Sequence, residues 1–530
     1  MSEKKQLSLF DLSMIVISLV IGMGIYRTPV NVAAAAKIPE LFFLAWLIGG
    51  GIALCGALTY AEIGSRFPVT GGYYKIFSAF YHPSIAFAIN CIIVVSNAGS
   101  VAGVAIIGAE YLSKVILPEA LQTESYRIAI ATVTIILFYL VNLLGLKVSS
   151  KAQNVLSVIK IAMVLTLISS IFFTTDKTTE HSSKTTEQHI DGQSVVTPVA
   201  AADGSAKDIQ AKGTKAAEIE TKESQYNEIK SADTNSNDTK SNDIKAIEIK
   251  STERSVNPSE KEKPINWTDY GKALGVCLIA VSFTFGGYQQ TINFGGETKD
   301  AGKVIPRAII TGLVVIITLY LTINYAYVKV IGFDELKTSS SIAAILAGTI
   351  FGPTGFTILS FLIYISVLGY VNVNLLSNPR AMFAMGEERA LPAVFTKKSK
   401  KNDVMFVSLS VFAMIAIFTL FYAQTFEKIL NYTIFLDCIG MATSAATIFF
   451  LRKRSKQYDP SNQGSIYAMR LYPLLPLIFI GAYCFVAFSI YNDDPEAGRN
   501  GLLIFFGFII IYFINRILNK DKFPEVDTRK

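Results

Sequence analysis

About a dozen apolar runs, each near the 20 residues that a helix needs to cross a lipid bilayer, dominate this sequence of 530 residues. Half of the chain is apolar (51 %) and only 17 % is charged, against roughly 25 % in ordinary soluble domains. A soluble chain of this length would divide into several domains, and the charge to cover their surfaces is missing. These features predict an all-α integral membrane protein. They exclude a water-soluble enzyme, a secreted disulfide scaffold and a nucleic-acid binder.

The apolar runs predict twelve transmembrane helices, with both chain ends on the same side of the membrane. On that side the short segments hold 25 Lys and Arg residues, against 7 on the other side. The positive-inside rule therefore predicts cytoplasmic N- and C-termini and a multi-pass protein of the cell (plasma or inner) membrane. The predicted spans are 11–36, 41–65, 79–113, 126–146, 151–173, 268–296, 306–331, 340–378, 404–422, 426–451, 472–492 and 499–519.

One long polar tract interrupts this pattern. Residues 174–266 are rich in Thr, Ser, Lys, Glu, Asp and Asn, and such a composition cannot bury enough apolar surface to offset the entropy of ordering it. We expect a disordered extracellular or periplasmic loop. It divides the chain into a first repeat with spans 1–5 (residues 1–173), a second repeat with spans 6–10 (residues 267–451), and residues 452–530 with spans 11 and 12 and a cytoplasmic C-terminal tail.

Two spans contain residues that break helices. Span 1 has Gly22, Gly24 and Pro29 near its middle, and span 6 has Gly286 and Gly287. An interior Gly costs a helix about 1 kcal/mol and a Pro about 3 kcal/mol, and backbone groups freed in lipid must find partners. Paired interruptions at corresponding positions of two halves indicate a substrate site in an inverted-repeat transporter. Close packing of neighbouring helices against small residues is the alternative.

The ends of a broken helix determine what it can bind. Free N–H groups at the start of the second half attract an anion such as a carboxylate. Free carbonyl groups at the end of the first half attract an ammonium group. A zwitterionic amino acid carries both charges one carbon apart, so it suits a pair of such breaks.

Several motifs resemble those of the amino acid–polyamine–organocation (APC) superfamily, and the motif in span 6 resembles its L-type amino acid transporter branch. In chain order they include Gly22-Met23-Gly24-Ile25-Tyr26, Tyr60-Ala61-Glu62-Ile63-Gly64, Phe283 to Gln289, and Asn378-Pro379-Arg380-Ala381-Met382. The resemblance covers the chain except residues 174–266. It implies ten helices in a 5+5 inverted repeat (LeuT-like), two additional C-terminal helices, and transport by alternating access.

The resemblance also implies a substrate site. The substrate carboxylate would meet the backbone N–H groups of Met23, Gly24 and Ile25. The substrate ammonium would meet carbonyl groups of five residues, which are Val20, Ile21, Phe283, Thr284 and Phe285. The ring of Phe283 is similar to the aromatic gate that closes over substrate; ordinary core packing is the alternative for Phe283 and Phe285.

Charged and polar residues inside spans are costly in a membrane and are candidates for function. Lys160 lies within span 5, and in sodium-independent relatives a lysine at this position takes the place of a sodium ion. The alternative is that Lys160 extends to the lipid headgroups. Asn97, Ser100 and Asp437 are further candidates for polar contacts in the pocket, and a hydrogen bond to span 1 is one role expected for Asp437.

The sequence thus favours a sodium-independent exchanger of neutral amino acids. A proton-coupled symporter of amino acids or amines and a non-transporting amino acid sensor of the same fold are the alternatives. A membrane enzyme is disfavoured because no paired-His, Ser/His or Cys/His arrangement occurs inside the spans.

The expected partners are an amino acid substrate and the lipid bilayer. The five cysteines and three histidines form no ligand pattern, so we expect no metal and no cofactor. Basic charge concentrates in the predicted cytoplasmic loops, so no nucleic-acid partner is expected. Residues 112–127 contain no cysteine, whereas relatives that pair with a single-span glycoprotein have one there. We therefore expect no disulfide-linked heavy subunit.

Overall fold

The computed structural model describes residues 7–173, 267–339, 341–422, 426–455 and 466–518. Within these ranges the chain is helical, and its β-pairing is limited to two isolated bridges. The predicted all-α class is therefore confirmed for the described residues. The predicted loop at residues 174–266 lies outside them. The helices before it are α1 (Leu9–Val20), α2 (Gly24–Ala36), α3 (Pro39–Arg66), α4 (Gly72–Phe80), α5 (Pro83–Ile116), α6 (Glu124–Leu143) and α7 (Leu146–Ile168).

Nine α-helices are described after residue 266. They are α8 (Trp267–Phe285), α9 (Ala301–Ile331), α10 (Phe333–Leu336), α11 (Ile342–Phe351), α12 (Gly355–Glu387), α13 (Phe406–Tyr422), α14 (Phe426–Ser455), α15 (Leu474–Asp493) and α16 (Pro495–Leu518). Short 3₁₀ segments join several of them, including Tyr288–Asn293 directly after α8.

Membrane-spanning segments account for most of these helices. Among the described residues, ten segments are long and apolar enough to cross a bilayer, and the bent pair α1 and α2 raises the number to eleven. The one remaining predicted span, the ninth (residues 404–422), corresponds to α13, whose apolar stretch Phe406–Phe421 is shorter than the other ten segments. The chain is therefore a multi-pass membrane protein, and the number twelve stays a prediction.

The helices that carry the predicted breaks lie in the interior of the bundle. Helix α1 packs against α7 and α9, α2 packs against α8, and α8 also contacts α3. Helices α5 and α12 pack against each other at the centre, where 78 % of the most apolar window of α5 is buried. The corresponding figure for α16 is 11 %, so the last helix lies at the periphery.

A buried ionic cluster joins α3 to α14. The carboxylate of Glu62, which is fully buried, accepts hydrogen bonds from Arg66 Nε at 2.7 Å and from Arg452 Nε and Nη2 at 2.7 and 2.6 Å. It also accepts one from the backbone N–H of Met469 at 2.9 Å. A buried charge is costly unless it is paired and hydrogen-bonded, and these donors satisfy the Glu62 carboxylate. Glu62 therefore serves as a structural link between three segments.

Candidate functional site

The first helix break separates α1 from α2 at Ile21, Gly22 and Met23, and the two helices meet at an angle of 42°. Helix α2 begins at Gly24, and no side chain caps its N-terminus. The first N–H groups of a helix have no acceptor within that helix. The start of α2 therefore presents backbone donors and the positive end of a helix dipole at mid-bundle.

The second break follows Phe285, the last residue of α8. The Gly286 N–H donates to the Phe283 carbonyl at 3.2 Å, and Gly287 takes a φ of 114°, which lies in the left-handed region that favours glycine. The chain continues as the 3₁₀ segment Tyr288–Asn293. The C-terminal carbonyl groups of α8 therefore end at this turn instead of continuing into a second α-helix.

The two breaks touch each other at two points. A Cβ atom added at Gly24 would lie 3.1 Å from the hydroxyl oxygen of Thr284. A Cβ atom added at Gly287 would lie 2.5 Å from the carbonyl oxygen of Leu19. Glycine is therefore required at Gly287, where the contact is with backbone and φ is positive, whereas a side chain at Gly24 would force Thr284 to shift by a few tenths of an ångström.

A cavity lies between the breaks and brings together most of the predicted site residues. It is lined by residues of spans 1, 3, 6, 8 and 10 and by Tyr483 of α15. The predicted residues among its lining are Val20, Gly22, Met23, Gly24, Asn97, Ser100, Phe283, Thr284, Gly286, Gly287 and Asp437. Phe283 is partly buried there, where an aromatic ring could cover a bound solute.

Four predicted residues do not line the cavity. Ile21 and Ile25 are fully buried, so their side chains belong to the core and only their backbone groups remain candidates for substrate contacts. Phe285 packs its ring against Trp46 and Tyr320, with ring centroids 6.0 and 5.1 Å away. The Phe285 side chain is therefore part of the packed core. The fourth is Lys160, whose ammonium contacts the backbone of the first break.

The carbonyl groups at the end of α1 already have partners. The Val20 oxygen accepts from the Gly22 N–H at 2.8 Å and from the Tyr320 hydroxyl at 3.1 Å. The Ile21 oxygen accepts from Lys160 Nζ at 2.8 Å. A carbonyl oxygen has two lone pairs, so Ile21 retains acceptor capacity, whereas both lone pairs of Val20 are used.

The Lys160 ammonium donates hydrogen bonds to backbone carbonyl groups at the first break. Its side chain is fully buried, and Nζ lies 2.8 Å from the Ile21 oxygen and 3.4 Å from the Ser18 oxygen. Gly369 of α12 makes room for it, since a Cβ there would lie 2.8 Å from Lys160 Cε. The alternative that Lys160 extends to the headgroups is wrong. Its charge interacts instead with carbonyl groups that the broken helix leaves free.

Amide side chains line one wall of the cavity. Asn97, which we predicted, accepts from Gln290 Nε2 at 3.1 Å and donates to Asn378 Oδ1 at 2.6 Å. The sequence analysis missed Gln289, Gln290, Asn374 and Tyr370, all of which line the cavity. Amides inside apolar spans are themselves a signal for function, and applying it to spans 6 and 8 would have found three of the four.

Asp437 also lines the cavity, from α14. Its carboxylate accepts a hydrogen bond from the Ser96 hydroxyl at 3.3 Å, and the side chain is partly buried. Among the described residues, the side-chain hydrogen bond of Asp437 is made with Ser96 of α5 and not, as we expected, with span 1.

Comparison with known protein families gives a match over most of the chain. The family model described as "Amino acid permease" matches residues 7–215 and 224–514. The match includes every residue that lines the cavity between the two breaks.

Full-length relatives are similar at low identity. The serine/threonine exchanger SteT of Bacillus subtilis (strain 168) is 23 % identical, with 96 % of each chain covered. The large neutral amino acids transporter small subunit 2 of Homo sapiens is 22 % identical over 96 % of this chain and 80 % of the relative. Amino acid transporter protein 6 of Caenorhabditis elegans is 22 % identical over 97 % of this chain and 83 % of the relative.

Proposed function

This chain belongs to the amino acid permease family, and we propose that it moves amino acids across the cell membrane by alternating access. The observation that carries this proposal is the cavity between two helix breaks that touch each other at Gly24 and Gly287. Transporters place substrate sites at such interruptions because irregular backbone inside a membrane is tolerated only against protein or a watery cavity. The similar proteins are named as transporters, which indicates transport and not an enzymatic reaction.

The backbone explains how a zwitterion would be held. The N–H groups of Met23, Gly24 and Ile25 would bind the substrate carboxylate at the start of α2. The ammonium would bind carbonyl groups at the end of α8, from Phe283 to Phe285, and the remaining lone pair of Ile21. The Val20 carbonyl is the weakest of the candidates because two donors already occupy it. Phe283 would close over the bound substrate as the gate.

Transport is proposed to be independent of sodium. Lys160 Nζ bridges the Ser18 and Ile21 carbonyl groups, which is a position where a bound cation would stabilise the interrupted helix. A fixed ammonium group satisfies those carbonyls without an added ion, so uptake needs no sodium gradient.

Exchange of neutral amino acids is the proposed mode. The names of two relatives support it, since one is a serine/threonine exchanger and the other a transporter of large neutral amino acids. The backbone groups that would bind the zwitterion serve any α-amino acid, so they leave the choice of side chain to the rest of the cavity.

The proposed topology has twelve spans, with α13 as the ninth, and both termini in the cytoplasm. Spans 1–5 and 6–10 would form the two inverted repeats. The packing supports this proposal: the pair α1 and α9 (spans 1 and 7) has a counterpart in α8 and α3 (spans 6 and 2), as exchange of the two repeats requires. No heavy subunit linked by a disulfide is proposed.

Counterflow in proteoliposomes tests the function. Vesicles preloaded with an unlabelled amino acid should accumulate the labelled one without ATP, without sodium and without a pH gradient. Accumulation that needs an imposed proton gradient would favour symport over exchange. Amino acids that raise the melting temperature of the protein but never cross would favour a sensor and overturn the transport proposal.

A further inference from the structure

The cavity between the two breaks has one charged side chain among the described residues that line it, the carboxylate of Asp437. A carboxylate can accept about four hydrogen bonds, and here it accepts one, from Ser96. Within the described part of the chain, none of the ion pairs involves Asp437. Most of its capacity to accept hydrogen bonds is therefore unused, in a residue that lines the cavity.

A chain of amides fixes the orientation of a second acceptor. Asn374 Nδ2 donates to the Tyr370 backbone carbonyl at 3.0 Å, and Asn378 Nδ2 donates to the Asn374 backbone carbonyl at 3.1 Å. A backbone carbonyl can only accept, so these two bonds determine which end of each amide is nitrogen. The Asn378 oxygen is consequently left to accept, and it does so from Asn97 Nδ2 at 2.6 Å.

The same reasoning assigns the donor and acceptor ends of the next two amides, Asn97 and Gln290. Because Asn97 uses its nitrogen toward Asn378, its oxygen must accept, and Gln290 Nε2 donates to it at 3.1 Å. The Gln290 oxygen is then the free end of the amide. This Oε1 atom is buried and has no hydrogen-bond partner among the residues that the structure describes, while Gln290 itself lines the cavity and is 6 % exposed.

The two groups share one chemical property. Asp437 and Gln290 both line this cavity, and each carries an oxygen acceptor without sufficient donors. A buried acceptor without a donor is costly, and a substrate side chain that donates a hydrogen bond removes that cost. An aliphatic side chain of the same size would leave these acceptors unpaired.

We propose that Asp437 and Gln290 form a side-chain subsite that selects amino acids whose side chain carries a hydrogen-bond donor over aliphatic amino acids of the same shape. The proposal rests on the proposed transport function and names the substrate class within it. Sites built to hydrogen-bond a substrate hydroxyl discriminate strongly against the analogue that lacks it, whereas apolar pockets do not.

Matched pairs of amino acids test this subsite. Threonine and valine have nearly the same shape, and threonine has a hydroxyl group where valine has a methyl group. Serine differs from alanine by one added hydroxyl group. In proteoliposome exchange, threonine should exceed valine in kcat/KM by about tenfold, the effect of leaving one acceptor unpaired. The substitutions Asp437→Asn and Gln290→Met should each lower the threonine-to-valine ratio, because each removes acceptor capacity from the subsite.

The matched control is Asp334→Asn, an Asp-to-Asn change at a side chain that is 95 % exposed and pairs only with Lys337 among the described ion pairs. It should leave the threonine-to-valine ratio unchanged. For a variant too slow to assay by exchange, the ratio is measured from the stabilisation of the purified protein by each amino acid in a thermal unfolding assay.

The possible failures are distinguishable. If no amino acid crosses with the unmodified protein, the proposed function fails. If amino acids cross and valine equals threonine, or if both variants keep the original ratio in exchange and in thermal stabilisation, the transport function stands and the subsite is wrong.

Discussion

The two helix breaks look alike in sequence, since each carries a pair of glycines, yet the backbone takes a different conformation after each of them. After the first break the chain resumes as an α-helix at Gly24, with uncapped N–H groups facing the break. After the second it resumes as the 3₁₀ segment Tyr288–Asn293, and the carbonyl end of α8 faces the break. One break therefore supplies donors and the other acceptors. The difference is what allows one cavity to recognise both ends of an amino acid.

Within each pair the glycines are also unequal. Gly287 has a positive φ and lies against the Leu19 backbone, and Gly24 lies against Thr284. Their neighbours are less restricted, because a Cβ at Gly286 or Gly22 would have its nearest atom at 3.4 Å, an ordinary van der Waals distance. The comparison predicts that one glycine of each pair is more sensitive to substitution than the other.

The largest effect is expected for Gly287→Ala. The added Cβ would lie 2.5 Å from the Leu19 oxygen and would also be strained by the φ of 114°, so the two breaks would be pushed apart. We expect exchange activity to fall by about 100-fold or the protein to lose its fold, since strain and a steric clash add several kcal/mol. Exchange and size-exclusion profiles of the purified protein measure the two outcomes.

The matched control for this change is Gly286→Ala, one residue earlier in the same turn. Its Cβ would meet the Phe283 oxygen at 3.4 Å with no positive φ, so at least half of the activity should remain. Equal loss in both variants would mean that the turn tolerates no side chain at all, and the proposed contact with Leu19 would then not be the cause.

Lys160→Ala should produce the next largest effect. It removes the ammonium that lies 2.8 Å from the Ile21 oxygen and 3.4 Å from the Ser18 oxygen, leaving buried acceptors unpaired at about 1–3 kcal/mol each. We expect kcat/KM for exchange to fall by about 10- to 100-fold. The unmodified protein should exchange equally well in sodium and in choline buffers.

The control on the same helix is Lys151→Ala, because Lys151 is exposed on α7, and its activity should stay within about twofold of the original. A sodium requirement in the unmodified protein, together with full activity of Lys160→Ala, would contradict the role proposed for this ammonium group.

A smaller effect is expected for Gly24→Ala at the other contact. The new Cβ would lie 3.1 and 3.2 Å from Oγ1 and Cγ2 of Thr284, so the side chain of Thr284 must shift by a few tenths of an ångström. We expect KM to rise by about 3- to 10-fold, because a shift of this size at a binding site costs about 1 kcal/mol. Gly22→Ala should change KM by less than about twofold.

The double variant Gly24→Ala with Thr284→Ser sharpens this prediction. Serine lacks the Cγ2 methyl that would lie 3.2 Å from the new Cβ, so part of the lost affinity should return. No recovery would mean that the added methyl acts on the substrate and not on the contact between the breaks.

The sequence was sufficient for the features that follow from solvation. Apolar runs predicted the membrane-spanning segments, of which the described residues contain ten or eleven, and the cost of Gly and Pro in a helix located both breaks, at Gly22 and at Gly286. The intramembrane charge of Lys160 was identified because a buried ammonium needs partners, and the partners are the carbonyls of the broken span.

Features that depend on the direction of a side chain could not be predicted from the sequence. Phe283 and Phe285 are two residues apart in one helix, and the first lines the cavity while the second packs against Trp46. The amide chain from Asn374 to Gln290 joins spans 8, 3 and 6. Such a chain is specified by how three helices are rotated about their axes, and spacing along one helix does not reveal that rotation.

The smallest effect is expected when the segment between the two halves is shortened. The breaks touch through Gly24 with Thr284 and through Gly287 with Leu19, and α2 packs directly on α8. Packing alone should therefore hold the halves together. Replacing residues 178–262 by a short Gly/Ser bridge should leave exchange within about twofold, since closure entropy changes only slowly with loop length. Exchange rates and membrane insertion of the two proteins provide the measurement. Normal insertion with lost exchange would show that the segment acts on transport itself, and the contact between the breaks would then be insufficient to form the working site.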